Sequence, residues 1–204
     1  MRIMRRKILG FVMLAMLSAC SSLLAPAPDK DRFVLQAPTC PSAATAENGA
    51  TLLVRATTSS KLFDSQKIIF NDTAETRGFY QFAAWAESPV LQFTRLLLGR
   101  MECVGIFHSV SRGNEAARAD YILSTEIIDF RHDYTEKPGK ALVTVRAEFY
   151  APASRTMLAS RVFSREVPVT EFNAEGAVHA FSQASEQVLS DLAGWVAGVV
   201  AAKT

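Results

Sequence analysis

The apolar positions of this chain follow two periods. Val90, Phe93, Leu97, Met101 and Val104 recur every three or four residues, and Leu96 and Leu98 widen the stripe, which predicts an amphipathic helix. Ser88-Pro89 starts it, because a serine hydroxyl caps free backbone amides and proline suits the first helical position. Gly105 is a fitting stop. A second stripe, Phe181, Val188, Leu192, Trp195 and Val199, predicts a terminal helix over about 174–201, with an apolar face about 30 Å long at 1.5 Å per residue.

Elsewhere the period is two. Val143, Val145, Ala147 and Phe149 point one way, and Thr144, Arg146 and Glu148 the other. This marks the middle strand of a meander over 121–132, 141–150 and 156–169, turning at Lys137-Pro138-Gly139 and Ala151-Pro152-Ala153. Strands at 67–70 and 77–85 pair as a hairpin around 71–75, with Tyr80, Phe82 and Ala84 on one face and Phe79 and Trp85 on the other. Residues 51–56, with the unbroken Leu52-Leu53-Val54 run, and 106–110 add two more strands. The expected fold is α+β: a two-layer sandwich in which a mostly antiparallel mixed sheet of six or seven strands carries two long helices on one face. The other sheet face, or one edge, is then free for partners.

The amino terminus has no such period. Arg2, Arg5, Arg6 and Lys7 form a basic head, and residues 8–16 form an apolar run interrupted only by Gly10, the layout of a secretory signal. The run is shorter than the roughly 20 apolar residues a permanent span needs. Leu17-Ser18-Ala19-Cys20 resembles the bacterial lipobox, which implies cleavage before Cys20 and acylation of that cysteine. Each buried methylene contributes about 0.8 kcal/mol, and two signals already hold stably, so three acyl chains form a permanent tether. Ser21 stands where aspartate marks inner-membrane retention in lipoproteins of this type, which favours the periplasmic face of the outer membrane. The chain thus divides into a cleaved leader at 1–19, the lipidated cysteine and a linker at 20–31, and one periplasmic domain at 32–204. The linker, with two prolines and no periodicity, spans roughly 30 Å at about 3.1 Å per residue.

Cleavage changes the charge. Four of the 22 basic residues and none of the 20 acidic ones lie in the leader, leaving 18 against 20. The mature domain is slightly acidic and shows no basic cluster of the kind that binds nucleic acid. Its 185 residues suit a single core. In an oxidising compartment Cys40 and Cys103 either pair or stay as two unpaired thiols; a bridge would close a loop worth about 4 kcal/mol.

Motifs of catalysis are missing. There is no Gly-x-Ser-x-Gly turn, no Gly-x-x-x-x-Gly-Lys loop and no Gly-x-Gly-x-x-Gly turn. His108, His132 and His179 fall in three different elements, and no Cys/His pair has the spacing of a zinc site. Glu126 and Glu148, on neighbouring strands, read as solvated sheet-face residues. Neither a metal nor a cofactor is expected, and the chain does not read as an enzyme. Phe79, Tyr80, Phe82 and Trp85 either fill the space between sheet and helix or, at Tyr80 and Trp85, form a rim where an apolar partner docks.

Trp85-Ala86-Glu87-Ser88-Pro89, opening a leucine-rich helix that ends in Gly105-Ile106-Phe107-His108-Ser109-Val110, resembles the ABC-type transport auxiliary lipoprotein family of the paraquat-inducible protein C type. Ala119-Asp120-Tyr121-Ile122-Leu123, leading to Glu126-Ile127-Ile128-Asp129-Phe130, is similar to that family's central strand. Phe33, in Arg32-Phe33-Val34-Leu35, departs from the tyrosine the family tends to carry there. The resemblance implies a non-catalytic accessory of a lipid-trafficking transporter, whose ATPase and permease sit in the inner membrane and whose MCE-domain protein crosses the periplasm. It also implies docking on the MCE protein, with homo-oligomerisation giving multivalent capture. The competing reading is a free-standing structural or assembly lipoprotein of the outer membrane, with no transporter.

Overall fold

A computed structural model describes residues 30–36, 46, 49–113, 119–154 and 156–202. The leader, Cys20 and Cys40 lie outside the described residues.

The chain runs β1 (Asp31–Phe33), β2 (Ala50–Val54), β3 (Thr58–Ser59), β4 (Lys67–Asn71), β5 (Gly78–Trp85), α1 (Pro89–Val104), β6 (Phe107–Arg112), β7 (Tyr121–Asp133), β8 (Lys140–Ala151), β9 (Thr156–Pro168) and α2 (Ala174–Ala201). One long strand, β7, organises the sheet. Along one side it pairs antiparallel with β8, which pairs antiparallel with β9. The other side is shared in parallel by three short strands: β2 beside Tyr121, β3 beside Glu126 and β4 beside His132. β6 adds outside β2, and β5 and then β1 add outside β4. The long antiparallel ladders carry most of the paired residues.

The sheet has nine strands among the described residues, not six or seven. The excess comes from pieces such as β3, whose two residues are too few to display a period. Both helix boundaries agree with their local signals. Ser88 accepts from the Leu91 amide, Pro89 opens α1, and Gly105 closes it at φ 70, a left-handed conformation that glycine adopts without strain. Asn173 caps α2 by accepting from the Gly176 amide at 2.7 Å, and Glu175 complements the positive helix end.

The two helices lie side by side on one face, linked by an Arg100–Glu186 ion pair. Beneath them Phe130 and Phe181 stack at 4.6 Å, and Trp85 meets both edge-on at 5.9 and 5.6 Å. Trp195 meets Phe149 and Phe163 edge-on further along α2.

Two bulges reset the alternation. In β7 the register shifts between Ile127 and Asp129, so that Ile127 and Phe130, three apart, both enter the core. In the β4–β5 hairpin, Lys67 pairs with Ala84 but Ile69 pairs with Phe79. The expected faces of β5 are therefore wrong: Tyr80 and Trp85 both turn toward the helix layer, while Phe79 and Phe82 stand exposed at 42% and 63%. An odd number of extra residues in a ladder reverses every later side chain.

Candidate functional site

Three turns, at 72–77, 134–139 and 169–173, converge at the end of the sheet where β7 finishes, and they enclose His132. This residue is fully buried and continues the inward phase of Phe130. Its Nε2 lies 2.9 Å from the Pro138 carbonyl oxygen, which can only accept, so Nε2 carries the proton. Nδ1 is then bare and accepts from the Tyr80 hydroxyl at 2.8 Å. Gly139 makes this approach possible: its φ is 92, and a Cβ there would sit 2.6 Å from His132 Nε2. Phe70 and Tyr134 surround the pair, with Phe70 5.4 Å from Tyr80 and 5.0 Å from Tyr134; Phe172 stacks edge-on to Tyr134 at 4.9 Å.

Burial pushes the Tyr80 phenol up to about 12, with Tyr134 adding to it, so the hydroxyl remains a donor. Burial also holds the His132 imidazole below its ordinary value of 6.5, against the opposing pull of the Pro138 carbonyl and Asp133. A base whose pKa is lower folded than unfolded takes up its proton more readily when unfolded. Stability contributed by neutral His132 is therefore complete above about pH 6.5 and declines as the pH falls from there toward the folded value. Thermal denaturation between about pH 7.5 and 5 should show this decline, and His132→Gln should flatten it. An equal slope in the variant would mean that other groups set the acid response.

The predicted site residues are dispersed. Trp85 is 1% exposed and belongs to the core, so of its two expected roles it fills the space between sheet and helix and does not form a docking rim; the β5 bulge turns it inward. Tyr80 is half-buried at the margin, its hydroxyl committed to His132. Cys103, at the end of α1, is disulfide-bonded, and Cys40, its expected partner, lies outside the described residues. Glu126 faces Arg146, with which it pairs at 2.8 Å, and Glu148 faces Ser124, so the two glutamates are not opposed. His108 lies on β6 and His179 on α2, apart from His132. No group of three His, Cys, Asp or Glu among the described residues converges on one point.

A groove not anticipated from the sequence runs between β1 and α2. It measures about 620 Å³ and is lined by Phe33, Val34 and Val178, with His179, Gln183 and Glu186 on its helical wall. Val34 is 46% exposed there. The exposure follows from the place of β1 at the end of the strand order, where among the described residues it pairs only with β5. Two adjacent apolar residues, Phe33 at the end of β1 and Val34 just after it, are the sequence signal that one must face outward.

No helix among the described residues is long and apolar enough to cross a membrane. No curated protein matches the chain. Protein XCC0632 from Xanthomonas campestris, of the DUF330 family, shares the fold at TM-score 0.74 and 23% identity, covering 84% of this chain and 99% of that one. A solved structure of an uncharacterized protein gives TM-score 0.66 at 12% identity, over 82% of this chain and 99% of that one. Hypothetical protein CT253 from Chlamydia trachomatis gives TM-score 0.52 at 7% identity, over 72% and 98%. At these identities the likeness is one of fold. The family model for the ABC-type transport auxiliary lipoprotein component matches residues 33–193, from the end of β1 well into α2, and the chain belongs to that family.

Proposed function

We propose that this protein is a non-catalytic accessory lipoprotein of an ABC/MCE-type lipid-trafficking transporter. Cys20 holds it at the periplasmic face of the outer membrane, and the folded domain docks the periplasm-spanning MCE-domain protein, which connects to the inner-membrane permease and ATPase. Cys40 is the partner of Cys103 in this reading. The observation that carries the proposal is the family match over 33–193, beginning thirteen residues after the lipobox cysteine. Docking uses the free side of β1 and the groove beside it, because a terminal strand offers unpaired backbone groups and the groove offers apolar surface. Several copies around one MCE end would make the capture multivalent.

The test is photocrosslinking in native envelopes with a reactive residue at Val34, followed by mass identification of what is captured. The MCE-domain protein should be recovered at position 34 and not at Ala153, in the turn between β8 and β9. Recovery of only peptidoglycan-associated or barrel-assembly proteins would replace the transport reading with that of a free-standing structural lipoprotein.

A further inference from the structure

β1 fixes the direction in which the linker leaves the domain. Asp31 pairs with Ala83, and β1 runs parallel to β5, away from the 72–77 hairpin tip. Followed backward, the chain leaves Asp31 toward that tip. Along β4 the span from Lys67, opposite Ala84, to Phe70, opposite Gly78, is three residues, about 10 Å at roughly 3.3 Å each. Cys20 lies eleven residues before Asp31, about 34 Å at roughly 3.1 Å each. Eleven residues at that rise exceed the distance from Asp31 to the tip.

The same end carries the exposed aromatic side chains. Phe79, Phe82 and Phe172 are 42%, 63% and 45% exposed, and no other phenylalanine is among the exposed large apolar residues described. Two of the three are covered by lysine: Lys67 Nζ lies 4.3 Å from the Phe79 ring centre, and Lys137 Nζ lies 4.6 Å from that of Phe172. An aromatic ring beneath an ammonium on a flexible stem matches the lipid–water interface, where rings enter the headgroup layer and lysines reach the phosphates. Asp72, Glu75, Glu136 and Glu171 occupy the same turns. Arg77, Lys67 and Lys137 nearly balance them, and a patch so close to neutral suits a zwitterionic phospholipid surface better than a strongly anionic one.

We infer that this end of the domain, presenting Phe79, Phe82 and Phe172 with Lys67 and Lys137, rests on the phospholipid surface to which Cys20 is tethered. The inference rests on the tethered reading given above. It also orients the domain: the turn at 152–154, at the far end of β8, points away from the lipid.

The test supplies the tether chemically, so that it does not depend on acylation in the cell. The chain beginning at Cys20 is coupled through that cysteine to a maleimide lipid in phosphatidylcholine–phosphatidylethanolamine vesicles. Hydrogen exchange is then compared with uncoupled protein. Exchange at 72–77, 134–139 and 169–173 should slow several-fold on coupling, while 152–154 stays unchanged. Joint Phe79→Ser, Phe82→Ser and Phe172→Ser substitution should remove the slowing. Coupled protein with no slowing at the three turns, or with slowing at 152–154 instead, overturns the inference. Palmitate labelling of the cellular protein reports the natural tether separately.

Discussion

Trp85→Ala is expected to destabilise the domain by about 3–5 kcal/mol, the range for removing a large buried aromatic side chain. The indole is 1% exposed and closes a three-ring cluster with Phe130 and Phe181, the contact through which β5, β7 and α2 meet. Alanine would leave a cavity that cannot collapse, because Phe130 and Phe181 are already stacked and held by separate elements. For a chain of this size each kcal/mol lowers the melting temperature by about 2–4 °C. Urea denaturation of the two proteins measures the difference directly. A loss below about 1 kcal/mol would show that the cluster repacks around the smaller side chain.

Cys20→Ala should have the opposite profile, with a complete effect on location and none on folding. The altered protein should leave the membrane fraction and lose its transport-linked function, while its melting temperature stays that of the acylated form. Among the described residues the first strand begins at Asp31 and the earliest fully buried core residue is Leu35, with Phe33 packed against the core. In the proposed reading the acyl chains on Cys20 supply the stable membrane affinity, since two lipid signals already anchor stably. Fractionation, palmitate labelling and a thermal melt decide it together. A soluble periplasmic form that supports full function would remove the tether from the mechanism, and with it the case for a domain that works at a lipid surface.

The helices were legible because their ends are written locally. Ser88-Pro89 and Gly105 bracket α1 in the structure as they do in the sequence, and the stripe from Phe181 to Val199 falls within α2. The meander was legible for a related reason: β8 alternates without interruption from Val143 to Phe149. Tyr80 and Trp85 failed as a pair because their common facing depends on the bulge opposite Lys67 and Ile69, which no window confined to β5 reveals. His132 reads as a strand-end residue beside Asp133. Only the Gly139 turn and the Tyr80 hydroxyl, 52 residues earlier, make it a buried hydrogen-bonded histidine. The groove has the same origin, since Phe33 and Val178 are adjacent only after β1 has joined β5.

Taken by itself, the sequence determined both helices with their caps, the three-strand meander and the α+β class. Each depends on residues within a few positions of one another, through capping, turn chemistry or hydrophobic period. Tertiary structure decided the strand order around β7, the burial of Trp85, the pairing of Tyr80 with His132 and the groove beside β1. These depend on which backbone groups meet across the chain, and a single extra residue in a ladder exchanges the core face for the solvent face.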